Sequence, residues 1–234
     1  MSVSRAVCAA AFTLMLNLLP SCATPPPPRP PEPVVDAQPV DPWPRAEVLE
    51  LAMEAYRCGQ REGRFQRPLL TVIDYSVPSN EARLWVIDVD RQEVLYHELV
   101  AHGEGSGYNQ PVAFSNAVDS HESSLGLFRT DEAYSGRFGY SLHISGLEPG
   151  FNDNARARAI VMHGAPDVSQ AVADAFGTIG RTWGCLALPD DSAPKIIDCI
   201  AGGSAIFVYY PDADWLRQSH YLHCGGLQVA GVSD

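Results

Sequence analysis

Two side chains in this sequence have the types and setting needed to run acyl-transfer chemistry as a pair. His163 ends the apolar run Ala159-Ile160-Val161-Met162 and is followed by Gly164. Cys185 ends Arg181-Thr182-Trp183-Gly184-Cys185, just before Leu186-Ala187-Leu188-Pro189. A free thiol is mostly protonated at neutral pH, so a cysteine nucleophile needs a base, a group that orients the base, and N–H donors for the oxyanion. His163 is the candidate base, delivered at the end of a buried-type strand. Gly184 has no side chain, which lets its own N–H and that of Cys185 converge on a carbonyl oxygen. The competing reading is packing, because free cysteine is among the most buried residue types.

Other motifs do not hold up. His97 and His102 are five positions apart rather than the four of a zinc-protease helix. Their run reads as a strand, where an odd spacing sends the two side chains to opposite faces. Gly103-Glu104-Gly105-Ser106-Gly107 has its glycines misplaced for a nucleophile elbow or a dinucleotide loop, and reads as a flexible loop with positive-φ turns. His121, His220 and His223 sit in polar or terminal contexts and read as solvated, so no metal or organic cofactor is implied. Asp190-Asp191-Ser192 reads as the N-terminal cap of a helix starting at Ala193.

The elements that must position the pair are mostly strands. Short runs rich in Val, Ile, Leu and aromatic residues predict strands over Leu69–Tyr75, Arg83–Val89, Glu93–Val100, Leu125–Thr130, Tyr140–Ser145, Ala159–His163 and Ala205–Tyr210. Helical spacing predicts a helix from Arg45 to Cys58, stopping before Gly59, and two short ones over Ser169–Phe176 and Ala193–Ala201. The expected fold is mainly β, a sandwich or barrel-like sheet with a few peripheral helices.

Composition narrows the function. A net charge of −12 leaves no cationic surface for nucleic acid, and an apolar fraction of 46% supports a real core. Lys195 is the only lysine among 234 residues, so Schiff-base chemistry has little to draw on. Residues 1–21 read as an export signal: Arg5, an apolar stretch from Ala6 to Leu19 too short to span a bilayer, then Leu19-Pro20-Ser21-Cys22. That end is similar to the lipobox of bacterial lipoproteins, which implies a lipid on Cys22 and, with Ala23 next, an outer-membrane anchor in the periplasm. The alternative is plain secretion with cleavage near Ser21 or Ala23. Residues 22–44 hold ten of the nineteen prolines and read as a polyproline tether, about 70 Å long at full reach. Residues 45–234 form the expected catalytic domain. Cys58, Cys185, Cys199 and Cys224 remain there; three pairings are open, and a Cys58–Cys224 bridge would tie the domain's ends together.

From Leu69 to Pro211 the chain resembles the murein L,D-transpeptidase catalytic-domain family, cysteine enzymes of bacterial peptidoglycan. The resemblance rests on His163-Gly164 and Thr182-Trp183-Gly184-Cys185. It also rests on His102 to Gly107, Phe114-Ser115-Asn116, Ser123-Ser124-Leu125-Gly126, Gly146 to Gly150 and Arg158 to Gly164. It implies a β-rich sandwich with Cys185 as nucleophile and His163 as base, facing each other in a cleft, and the backbone at Gly164 orienting the imidazole. It also implies stem peptides as the partner, with Ser124 and Asn116 near the cleft. The family commonly has Ser-His where this chain has Thr182-Trp183, and often an Arg just after the cysteine, where Leu186 and Ala187 stand here. Thr182 keeps a hydroxyl; Trp183 offers only its backbone carbonyl; Arg181 is the nearest cation for a substrate carboxylate. The implied reaction is a Cys185 thioester with loss of D-alanine and transfer to a diaminopimelate amine. The alternatives are hydrolysis of the same thioester, transfer to an amine of another envelope protein, and a wall-binding lipoprotein without turnover.

Overall fold

Hydrophobic alternation and turn chemistry resolve into eight strands and four helices in the computed structural model, which describes residues 43–224. The export signal, Cys22 and the tether up to residue 42 lie outside the described residues. In chain order the elements are α1 (Ala46–Arg61), β1 (Leu69–Asp74), β2 (Leu84–Asp88), β3 (Glu93–Glu98), β4 (Gly126–Gly136), β5 (Gly139–Gly146) and β6 (Val161–Ala165). They continue with α2 (Gln170–Phe176), β7 (Leu186–Pro189), α3 (Ala193–Ile200), β8 (Ala205–Tyr209) and α4 (Ala213–Gln218). The strands hydrogen-bond in the order β3-β2-β1-β8-β4-β5-β6-β7. Most pairs are antiparallel; β1 with β8 and β6 with β7 are parallel. The mainly-β class with few helices is what the sequence predicts.

The core sits on both faces of the central strands. Every residue of β1, β2 and β8 is buried, which explains why these strands read as continuous apolar runs rather than alternating ones. α1 packs its stripe of Val48, Ala52, Ala55 and Tyr56 on β1 and β8, and α3 packs Ile196, Ile197 and Ile200 on β4, β5 and β6. α1 runs on past the predicted stop, with Gly59 inside it. A Cβ there would stand 2.5 Å from Cε2 of Phe65, so this glycine makes room for a ring and does not end the helix. The α3 start also differs from expectation. Ser192 makes no side-chain cap bond, and Pro194 in the first turn, with its φ already helical, initiates the helix instead.

The two ends of the sheet meet. The chain leaving edge strand β3 runs along the opposite edge: the Ala101 N–H donates to the Ala187 carbonyl at 2.8 Å. Further along this seam, the Thr182 N–H donates to the His102 carbonyl at 2.9 Å and the Glu104 N–H to the Thr182 carbonyl at 2.7 Å. A β7 edge that would otherwise carry unpaired amides is thereby covered. Of the three open cysteine pairings the fold takes Cys58–Cys224, with Cα atoms 5.8 Å apart, and leaves Cys185 and Cys199 free. No helix among the described residues is long and apolar enough to cross a membrane.

Candidate active site

Parallel pairing of β6 with β7 brings the two candidate residues together. His163 lies opposite Ala187, and Met162 opposite Leu186, so Cys185 enters β7 one step beyond the last pair. Residues two apart on a strand share a face, which puts Cys185, Ala187 and His163 on one side of the sheet. The Cys185 thiol is 8% exposed and donates to the Ala159 carbonyl with S···O 3.8 Å. Burial pushes its pKa up, opposed by the Val161 N–H and the Arg158 guanidinium. His163 is 5% exposed, and its Nδ1 bonds the Gly164 carbonyl at 2.7 Å. A carbonyl can only accept, so Nδ1 carries the proton and Nε2 is the free base. Burial pushes the His163 pKa down, opposed by the Gly164 bond and by Asp167 and Asp190. The resting pair is therefore thiol and neutral imidazole.

Gly164 is small for a local reason. A Cβ there would stand 2.7 Å from Asp190 Oδ1 and 3.4 Å from the Ala193 Cβ. Asp190, expected only at a helix cap, thus packs against the backbone that holds the imidazole. Outside it, the Phe138 ring at the tip of the β4–β5 hairpin stacks on His163 with centroids 4.4 Å apart.

Thr182 builds the turn ahead of the cysteine. Its Oγ1 receives the Gly184 N–H at 3.0 Å and donates to the Cys185 carbonyl at 2.8 Å. Gly184 has φ +110, and a Cβ on it would meet the Glu122 carbonyl at 2.8 Å. The glycine is needed for backbone conformation and close approach. Its N–H, expected to face an oxyanion, is bonded to Thr182 because the turn closes on the threonine hydroxyl. Trp183 points outward, 63% exposed, and stacks on His121 at 4.3 Å. His121 also meets Glu104 at 2.9 Å, so it is less free than its polar surroundings predicted.

Arg158 organises the other wall, and sequence reasoning gave it no role. Its Nη1 donates to the Ser115 carbonyl at 2.7 Å and to Ser124 Oγ at 2.6 Å; its Nη2 donates to Ser120 Oγ at 3.2 Å and to the Glu122 carbonyl at 2.5 Å. Ser124, a predicted substrate contact, is 4% exposed and spends its hydroxyl on the Ser115 carbonyl and Arg158. Asn116 is likewise committed, donating to Asp153 Oδ1 at 2.7 Å and accepting the Asn154 N–H at 3.0 Å. Both hold loops rather than present free groups. Arg181 is exposed, donates to the Gly107 carbonyl at 3.2 Å and lies over the Tyr108 ring. It edges a cavity of about 350 Å³ shared with Glu104, Asp167 and Phe176.

Beneath the site lies a second cluster that composition hid. Arg83 is fully buried, bonded to the Val77 and Val100 carbonyls and, through Nη2, to His102 Nδ1 at 2.8 Å. Burial lowers the Arg83 pKa to about 10, and burial together with Arg83 lowers that of His102 to about 4. His102 is thus a neutral imidazole that accepts from Arg83 and donates from Nε2 to the Gly107 carbonyl at 3.3 Å. His97 faces elsewhere, stacked on Trp85. The glycine-rich run after it is a short 3-10 turn wedged against residues 120–123. A Cβ on Gly103 would sit 2.3 Å from the His121 carbonyl, so close approach, more than flexibility, explains its glycines.

Set beside known proteins, residues 42–209 match the family model described as the L,D-transpeptidase catalytic domain. The chain belongs to that family. A search of curated proteins gives no match. Solved structures that resemble this L,D-transpeptidase-family chain include an L,D-transpeptidase from Mycobacterium smegmatis, at 16% identity and TM-score 0.38. That match covers 61% of this chain and 59% of the other. The helical cell shape determining protein Pgp2 from Campylobacter jejuni is 11% identical with TM-score 0.43, covering 73% and 58%. Bd1075 from Bdellovibrio bacteriovorus is 18% identical with TM-score 0.38, covering 62% and 48%. The matched part spans about six-tenths of the mycobacterial protein's length.

Proposed function

We propose that this chain is a peptidoglycan L,D-transpeptidase of the bacterial envelope, with Cys185 as nucleophile and His163 as general base. The observation that carries the reading is the pinned imidazole. Its Nδ1–H is fixed on the Gly164 carbonyl, leaving Nε2 as base on the strand that pairs with the cysteine's own. With both groups neutral at rest, proton transfer from thiol to Nε2 accompanies attack rather than preceding it. The sulfur adds to the carbonyl at the L-centre of diaminopimelate in a tetrapeptide stem. The Cys185 N–H faces the developing oxyanion, and Arg158 supplies positive field. The imidazolium returns the proton to the leaving D-alanine amine, giving a thioester. The side-chain amine of a second stem displaces the sulfur and forms a 3→3 cross-link. Arg181, exposed beside the turn, is suited to a stem carboxylate. No metal or organic cofactor enters these steps.

The same reading keeps residues 1–21 as export signal, residues 22–44 as tether, residues 45–234 as the catalytic domain, and a lipid on Cys22 holding it at the membrane. Purified disaccharide-tetrapeptides test the chemistry. D-alanine release with cross-linked dimers, abolished by Cys185→Ala, is the expected result. Release with tripeptide alone makes it an L,D-carboxypeptidase. A wild-type protein that binds stems as Cys185→Ala does, and releases nothing, is a wall-binding protein and ends the proposal.

A further inference from the structure

The end of α1 and the C-terminal segment assemble a further cluster of reactive groups. Cys58, Glu62, His220 and Cys224 bring one sulfur, oxygen or nitrogen atom each to within 4.8 Å of one another. They come as two pairs, Cys58 with Glu62 and His220 with Cys224, each four positions apart. Glu62 caps α1 one turn after Cys58, and Cys224 comes just after the short 3-10 turn His220–Leu222, so each pair is brought together locally. We propose that this cluster is a zinc site when its disulfide is reduced, with Zn²⁺ held by the Cys58 and Cys224 thiolates, His220 Nε2 and a Glu62 carboxylate oxygen.

The donor set is one that zinc takes: two thiolates, an imidazole and a carboxylate in four-coordinate geometry. Tetrahedral zinc with bonds of about 2.0–2.3 Å spaces its ligand atoms about 3.3–3.8 Å apart. Cys58 Sγ and Glu62 Oε1 are already 3.9 Å apart, and His220 Nε2 and Glu62 Oε1, at 2.6 Å, need only part slightly to admit an ion. The helix end favours a cation, while Arg64 already offsets part of the carboxylate's charge. Glu62 caps the C-terminal end of α1, where the helix dipole disfavours a carboxylate and favours positive charge. It gathers what compensation it can from His220, Arg64 Nε at 3.1 Å and the Tyr221 hydroxyl at 3.4 Å. His220, with a side chain 60% exposed, leaves an entry path.

The two states exclude each other because zinc binds thiolates. A dithiol reductant gives two electrons and two protons to the Cys58–Cys224 bond and becomes a cyclic disulfide. The two thiols formed lose their protons to solvent as Zn²⁺ binds. Zinc thus replaces the covalent tie between the two ends of the domain with a coordinate one.

The test uses the full chain without an affinity tag, reduced with a phosphine, desalted anaerobically and titrated with Zn²⁺ or Co²⁺ alone. Expected is one equivalent of Zn²⁺ retained by the reduced protein and none by the oxidised one. Co²⁺ should give thiolate charge-transfer and intense tetrahedral d–d absorption. His220→Ala and Glu62→Gln keep the disulfide, so their folding is checked when oxidised; once reduced, each should bind about tenfold or more weakly. A Cys58→Ser/Cys224→Ser chain retains the other thiols and measures adventitious binding. Equal metal uptake by that chain, by the oxidised protein, or by the His220 and Glu62 variants overturns the proposal, as does a reduced protein that takes up none.

Discussion

Replacing Thr182 with valine keeps the shape of the side chain and removes its two short hydrogen bonds at once, along with a marginal contact to the His102 carbonyl at 3.5 Å. The Gly184 N–H and the Cys185 carbonyl lose partners at 3.0 and 2.8 Å. A neutral hydrogen bond is worth about 0.5–1.5 kcal/mol net, so the pair is worth about 1–3. Thr182 is only partly buried, water can reach some of what is freed, and the expected loss is about 2 kcal/mol. For a domain of this size that lowers Tm by about 4–8 °C. Thr182→Ser retains the oxygen and should stay within about 1 kcal/mol of wild type. Thermal unfolding gives the stability. Iodoacetamide modification, mapped by peptide mass spectrometry to separate Cys185 from Cys199, reads the turn itself. Loosening it should speed labelling of the buried Cys185 about tenfold, since the thiol reacts through local opening. A valine variant within about 0.5 kcal/mol of wild type, or a serine variant that falls as far as valine, would refute the assignment of the turn to this hydroxyl.

Three more outcomes are expected. Phe138→Ala uncovers His163; burial is the main cause of that group's lowered pKa, so the imidazole should titrate closer to 6.5. The acid limb of the rate–pH profile then moves to higher pH, and an unchanged limb would mean the ring does not shield the base. Ala159 holds φ +53 beside the thiol, a left-handed conformation costly for any side chain, so Ala159→Gly should be neutral or stabilise by up to about 1 kcal/mol in urea melts. Breaking the Cys58–Cys224 bond with paired serines opens a link spanning 166 residues, worth about 5 kcal/mol in the chain-entropy account, and denaturant midpoints should fall accordingly.

What the sequence displayed was what local chemistry writes into local pattern. β1, β2 and β8 were legible because burial on both faces leaves an unbroken apolar run. β4 was foreshortened to Leu125–Thr130; its register shifts between Thr130 and Ala133, where Asp131 and Glu132 break the alternation. β7 is four residues long and α4 six, too short for periodicity to register. At the site, the apolar run and glycine neighbours marked His163 and Cys185. Arg158 and Arg83 stayed hidden, because an arginine satisfied by carbonyls 17 or 36 positions away looks in sequence like any surface charge, whether half-buried like Arg158 or fully buried like Arg83. Ser124 and Asn116 show the converse: loop polar residues that suggest a ligand also satisfy neighbouring backbone and, for Ser124, Arg158, which sequence alone does not display.

The seam between β3's continuation and β7 carries one more implication, for the order in which the molecule is put together. Thr182 takes its backbone partner from His102, 80 positions earlier, so the turn that closes locally on the threonine hydroxyl is docked in place only by a distant contact. Loop-closure entropy makes such distant contacts late ones. The seat of Cys185 is therefore among the later parts of the fold to be docked, and the Cys58–Cys224 contact, 166 positions apart, is a distant closure of the same kind. Until then all the thiols compete on equal terms. Afterwards geometry sorts them, joining one pair and leaving Cys185 reduced in its niche.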